Sequence, residues 1–90
     1  MSVKVSLHKT HRKFTDGLEI VEVQGETVGD CLQHLTQRYP GISEALFEKK
    51  GKLRNHIEVF LNLESTYPQE LATPVKDGDE IHIVVMLAGG

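Results

Sequence analysis

The feature that most constrains this chain is a lone amphipathic segment standing between two pairs of alternating ones. Val28, Cys31, Leu32, Leu35 and Tyr39 recur at helical spacing on one face. Thr27 is suited to cap the first turn, with Asp30 three residues on as a shorter-armed variant of the capping box. Gly29 lowers helix propensity only in the first turn. Pro40-Gly41 ends the run, because the residue before proline is pushed out of the α region. The spacing predicts a helix over residues 28–39 with a single apolar stripe, which needs a sheet to cover it.

The flanking segments supply that sheet. Val3, Val5 and Leu7 alternate with Lys4, Ser6 and His8, the period of a half-buried strand. A polar connection from Lys9 to Gly17 follows, closing on the turn pair Asp16-Gly17. Leu18 to Val23 is again strand-like, although the adjacent Ile20 and Val21 leave its facing open and allow a bulge. After the helix, Ile42, Ala45, Leu46 and Leu53 suit a short helical turn seated on the core, with Lys49-Lys50-Gly51-Lys52 as an exposed tip. Ile57, Val59, Leu61 and, at its end, Leu63 alternate with Glu58, Phe60 and Asn62 in a third strand. Residues 67–74 read as mostly irregular, with Leu71 and Val75 as core anchors. The turn Asp77-Gly78-Asp79 leads into a last strand carrying Ile81, Ile83 and Val85. The order strand, strand, helix, strand, strand, with the first and last strands parallel at the centre, is an α+β, ubiquitin-like β-grasp: a mixed sheet of four to five strands with one main helix on one face.

Ninety residues suffice for one domain, 1–90, and are too few for two independent cores. No apolar run reaches membrane-spanning length, and Met1-Ser2-Val3-Lys4-Val5 enters a strand pattern without the layout of a signal peptide. A cytoplasmic protein is expected. Cys31 is the single cysteine, which excludes an internal disulfide and a four-cysteine iron–sulfur cluster. A formal net charge of −3 with scattered acids is unlike a nucleic-acid binder. Lys9, His11, Arg12 and Lys13 form a basic cluster expected at a solvated loop tip.

Chemistry is expected at the end of the chain. The last strand runs into Met86-Leu87-Ala88-Gly89-Gly90, and a terminal Gly-Gly arises by chance in about one sequence in 200. Without Cβ atoms the last residues can thread a narrow channel, and the terminal carboxyl carbon is open to attack. A carboxylate ionised at neutral pH resists nucleophiles, so it needs a leaving group, which joining to AMP supplies. Gly-Gly alone also fits a frayed terminus with no role.

Five fragments in order make the pattern specific: Thr27-Val28-Gly29-Asp30, Arg38-Tyr39-Pro40-Gly41, Ile57-Glu58-Val59-Phe60-Leu61-Asn62, Asp77-Gly78-Asp79-Glu80-Ile81 and Ala88-Gly89-Gly90. Across nearly its full length the chain resembles the MoaD/ThiS family of ubiquitin-like sulfur carriers. The resemblance implies a ubiquitin-activating-like adenylyltransferase that uses ATP and magnesium on the Gly90 carboxylate. It implies a sulfur donor that makes the thiocarboxylate there, and a sulfur-accepting synthase with a groove for the tail. Gly89 would keep the tail slim, and Leu87 and Ala88 would anchor its base. The chain would supply a carried group, not catalysis, and bind no cofactor of its own. The length of segment 43–56 is similar to the molybdopterin and cysteine branches of the family. Val84-Val85-Met86-Leu87, where the molybdopterin branch has a proline pair, is closer to thiamin carriers. A protein modifier conjugated through Gly90 to lysines shares the activation chemistry, and an inert interaction module is the remaining alternative.

If the alternating apolar residues of the last two strands face the helix, Phe60, Val84 and Met86 point outward as a partner surface. Cys31, on the apolar helix face, is expected to behave as a small core hydrophobe. His8, His11, His34, His56 and His82 have no metal-ligand spacing and are expected at the surface. Asp77 and Asp79 read as turn residues, not a cation site.

Overall fold

The computed structural model describes residues 2–86. Strand β1 (Ser2–Ser6) leads through a 3-10 helical stretch (Lys9–Thr15) into β2 (Ile20–Gln24). Helix α1 (Val28–Arg38) and the short α2 (Ser43–Leu46) follow, then β3 (Ile57–Leu61), β4 (Glu64–Ser65) and β5 (Glu80–Val85). The sheet order is β2-β1-β5-β3-β4. β1 and β5 run parallel at its centre, and the other neighbours are antiparallel. This is the expected β-grasp, with β4 as the fifth strand.

Local chemistry sets the boundaries of α1. The Thr27 side chain accepts from the Asp30 N–H at 3.1 Å, satisfying one orphan donor of the first turn. The Asp30 carboxylate accepts from the Glu26 N–H at 3.3 Å, one residue before the position a true capping box would use. The helix closes at Arg38, whose guanidinium donates to the Glu22 carbonyl at 2.7 Å and so pins its C-terminal end to β2. The His34 ring accepts the Gln24 N–H at 2.9 Å, covering a donor on an edge strand.

Val28, Cys31, Leu32 and Leu35 of α1 are buried on Val3, Val5, Val23, Val59 and Ile81 of the sheet. Fully burying a leucine contributes about 1.5–3 kcal/mol each. Ile42, Leu46 and Leu53 close one end of this core, and Val75 joins it, while Leu71 is partly buried against it. The turn expected within 42–55 is thus present, as α2 preceded by a 3-10 turn at Pro40–Ile42.

Two local expectations need correction, and the facing left open for the second strand is now fixed. The Lys9–Thr15 segment is only in part a solvated tip: Lys9 and Lys13 are exposed, but the stretch is helical, His11 and Thr15 are buried, and Phe14 packs against the core. The Thr15 hydroxyl donates to the Leu18 carbonyl at 2.9 Å, which lets a polar residue go inside. Leu63 does not extend β3; it sits in the β3–β4 turn with φ +70° and is exposed. No bulge interrupts β2, whose register with β1 is continuous from Ser2–Gln24 to Ser6–Ile20. Val21 therefore faces the core and Ile20 the outside.

Candidate functional site

β5 carries the chain from the Asp77–Asp79 turn to the root of the C-terminal tail. The turn is closed tightly. Ser2 N–H donates to the Asp77 carboxylate at 2.8 Å, and Lys76 N–H donates to Asp79 at 2.7 Å. The Asn62 amide donates to Asp79 at 3.0 Å and accepts from the Glu80 N–H at 3.0 Å. The Asn62 bond, then the Lys76 backbone bond, hold the Asp79 carboxyl below its usual range. These carboxylates are occupied as turn and register clamps. Among the described residues, no group of three His, Cys, Asp or Glu side chains is gathered to hold a metal ion.

Alternation along β5 sends Ile81 and Ile83 inward and His82 and Val84 to the opposite face, where both are half-buried. β3 is in antiparallel register with it, pairing Phe60 with His82 and Glu58 with Val84. On the other side His82 is level with Ser6 of β1, which is level with Ile20 of β2. One row across the outer sheet face therefore reads Ile20, Ser6, His82, Phe60. Val84 lies on the same face of β5 as His82, two residues nearer the tail, and the 46% exposed Met86 follows it. Phe60 and Val84 are half-buried on the face away from α1. The outward group expected from alternation is thus assembled on two paired strands.

The end of β5 is fixed. Met86 N–H donates to the His56 carbonyl at 2.7 Å, and the side of the sheet next to it is hollowed. A cavity of about 290 Å³ is lined by Leu53, Arg54, Ile57, Glu58, Tyr67 and Met86, among others. Leu87, Ala88, Gly89 and Gly90 lie outside the described residues, so the structure places the root of the tail and not its end.

Two apolar residues near this surface escaped the sequence reading. Ile20 is 53% exposed and Tyr67 75% exposed; Ile20 extends the outer row and Tyr67 lines the hollow beside Met86. The adjacency of Ile20 and Val21 was a signal for the first, since neighbouring strand residues cannot both face the core. Tyr67 had no such signal. Cys31 is fully buried, as expected, and burial together with nearby Asp30 pushes its thiol above the ordinary range. His11 is the exception among the histidines: it is buried with its Nδ1 unpartnered, and burial followed by His8, His56 and Lys13 lowers its pKa. No described helix is long and apolar enough to cross a membrane.

The ThiS family pattern matches residues 5–90. The sulfur carrier protein CysO of Mycobacterium tuberculosis is 36% identical over 93 residues, covering the whole of both chains. Small archaeal modifier protein 3 of Haloferax volcanii is 35% identical over 65 residues, covering 71% of this chain and 70% of its own. In the crystal structure of the Amycolatopsis orientalis BexX/CysO complex, the matching chain superposes with a TM-score of 0.88 at 35% identity, covering 98% of this chain and 99% of that one.

Proposed function

This chain belongs to the ThiS family, and from that premise we propose that it carries sulfur as a thiocarboxylate on Gly90. It is a sulfur carrier protein and not itself an enzyme, as members of that family are. The observation that carries the proposal is the full-length likeness to CysO, together with a family match that runs through Gly90.

In the proposed reaction the Gly90 carboxylate attacks the α-phosphorus of magnesium-bound ATP in a ubiquitin-activating-like adenylyltransferase. An acyl adenylate forms and pyrophosphate leaves. Sulfide, as the sulfur donor, then attacks the acyl carbon, the C–O bond to AMP breaks, AMP departs, and the terminal thiocarboxylate remains. A sulfur-accepting synthase takes the tail in turn. The BexX/CysO complex is of a related carrier seated on a second protein, BexX, which supports docking of this kind. Phe60, Val84 and Met86 form the docking face, Leu87 and Ala88 anchor the tail base, and Gly89 keeps the end narrow. The carrier is a one-domain protein that works in the cytoplasm, where ATP is supplied. The likeness to CysO over the whole chain favours a CysO-like pathway over the molybdopterin and thiamin branches.

The likeness to small archaeal modifier protein 3 supports a second reading, conjugation of Gly90 to lysines of other proteins. Reconstitution separates the two. The wild-type chain should support ATP–pyrophosphate exchange with its adenylyltransferase and, with sulfide as sulfur donor, gain a terminal thiocarboxylate. Deletion of Gly90 should abolish both. Lysine conjugates in place of thiocarboxylate would favour the modifier.

A further inference from the structure

We propose that the basic segment 49–56, set beside the root of the tail, docks on an acidic protein surface at the mouth of the activating partner's tail groove. This inference rests on the carrier reading. Lys49, Lys50, Lys52 and Arg54 lie within six positions, His56 follows, and no acid interrupts them, in a chain whose formal net charge is −3. Such a local concentration against the overall charge has no role in the core, because the three lysines are exposed.

The segment is held in a defined shape. A bridge joins Phe47 to Leu53, and Glu48 N–H donates to the Lys52 carbonyl at 2.7 Å. Gly51 turns the chain at φ +83°, a conformation glycine adopts without strain. Arg54 is tied down by its N–H to the Leu46 carbonyl at 3.0 Å and its Nε to the Glu44 carbonyl at 2.5 Å. Its charge remains unneutralised, as do those of the lysines: the ion pairs among the described residues are Arg12–Glu19 and Glu80–His82. One acid, Glu48, shares the hollow of about 580 Å³ that Lys49, Lys50, Arg54 and His56 line.

Position gives the cluster its meaning. His56 ends the basic segment and holds Met86 at 2.7 Å, so the positive charge is anchored where the tail begins. A tail that enters a groove must arrive end first, and complementary charge at the groove mouth orients and speeds such an encounter. A discrete acidic patch meets only this end of the molecule. A nucleic acid, anionic along its length, would also meet the excess of acids elsewhere on the chain.

The test is the triple variant Lys49→Glu, Lys50→Glu, Lys52→Glu, with Lys76→Glu as the control, since Lys76 is exposed at the opposite end of β5. Activation by the adenylyltransferase is followed against carrier concentration at low and high salt. We expect the triple variant to need about tenfold more carrier for half-maximal rate at low salt, a loss of about 1.4 kcal/mol in docking. Its saturated rate should be unchanged and its salt dependence lost, while the control behaves as wild type. Equal half-saturation and equal salt response in triple variant and wild type would overturn the inference while leaving the carrier reading intact. Tight binding of a single-stranded oligonucleotide by the wild type, lost in the triple variant, would also overturn it and reassign the segment. Failure of the wild-type chain itself to be activated would overturn the carrier reading, and this inference with it.

Discussion

The Met86 N–H donates to the His56 carbonyl at 2.7 Å, which fixes the last described residue of the chain to the start of β3. The sheet therefore presents Phe60 and Val84 at a set distance from the point where the tail departs. In the proposed docking, a partner gripping this face would position the tail without ordering the strands beneath it, which would lower the entropic cost.

Phe60 is the aromatic member of that face, and buried aromatic anchors dominate docking energies. Phe60→Ser should raise the carrier concentration needed for half-maximal activation by about tenfold or more, corresponding to a loss of at least about 1.4 kcal/mol. Thermal unfolding of the variant shows whether the fold is kept. A well-folded variant with unchanged half-saturation would remove Phe60 from the docking face.

The helix cap makes a prediction about stability alone. Thr27→Ala removes the acceptor for the Asp30 N–H and should cost about 1 kcal/mol of folding stability by urea denaturation. The activation rate at saturating carrier should stay the same, because Thr27 is remote from the outer sheet face.

His11 gives a pH dependence. It is buried, its Nδ1 lacks a partner, and burial, His8, His56 and Lys13 disfavour its charged form. Its folded pKa is therefore below the unfolded value of 6.5. Between those two values the unfolded chain binds the extra proton, so stability is fully present above pH 6.5 and declines as pH falls through the folded pKa. His11→Gln should flatten that part of the curve of urea midpoint against pH. Parallel curves for variant and wild type would contradict the assignment.

Cys31 should be chemically quiet. Its thiol is fully buried and pushed toward the neutral form, and the thiolate is the reactive species. Iodoacetamide should leave it unmodified in the folded protein and alkylate it readily in denaturant. Fast alkylation of the folded chain would reopen a role for this thiol in sulfur transfer.

Much of this molecule was legible in its sequence because its core strands alternate cleanly and its main helix has one stripe. Val3, Val5, Ile57, Val59, Ile81 and Ile83 all face inward as their period required. The Lys9–Thr15 stretch was misread because composition suggested solvent, whereas side-chain hydrogen bonds from Thr15 and packing of Phe14 seat it on the fold. Leu63 was drawn into β3 by its apolar character, but the chain turns at Asn62 and Leu63, both with positive φ. The outward placement of Phe60, Val84 and Met86 was readable from alternation. Ile20 was hidden by an ambiguous pair of apolar neighbours. Tyr67 reaches the tail root from a loop, where periodicity carries no information. The position of segment 49–56 beside the root of the tail was also out of reach, because only the tertiary fold sets His56 against Met86.

The most direct test of the central claim is the mass of the intact chain isolated from its host under non-reducing conditions, with the C-terminal peptide fragmented. The account predicts a species heavier by the difference between sulfur and oxygen, with the gain localised to Gly90 and not to Met86. A chain found only with its unmodified carboxylate, or with Gly90 joined to lysines of other proteins, would contradict it.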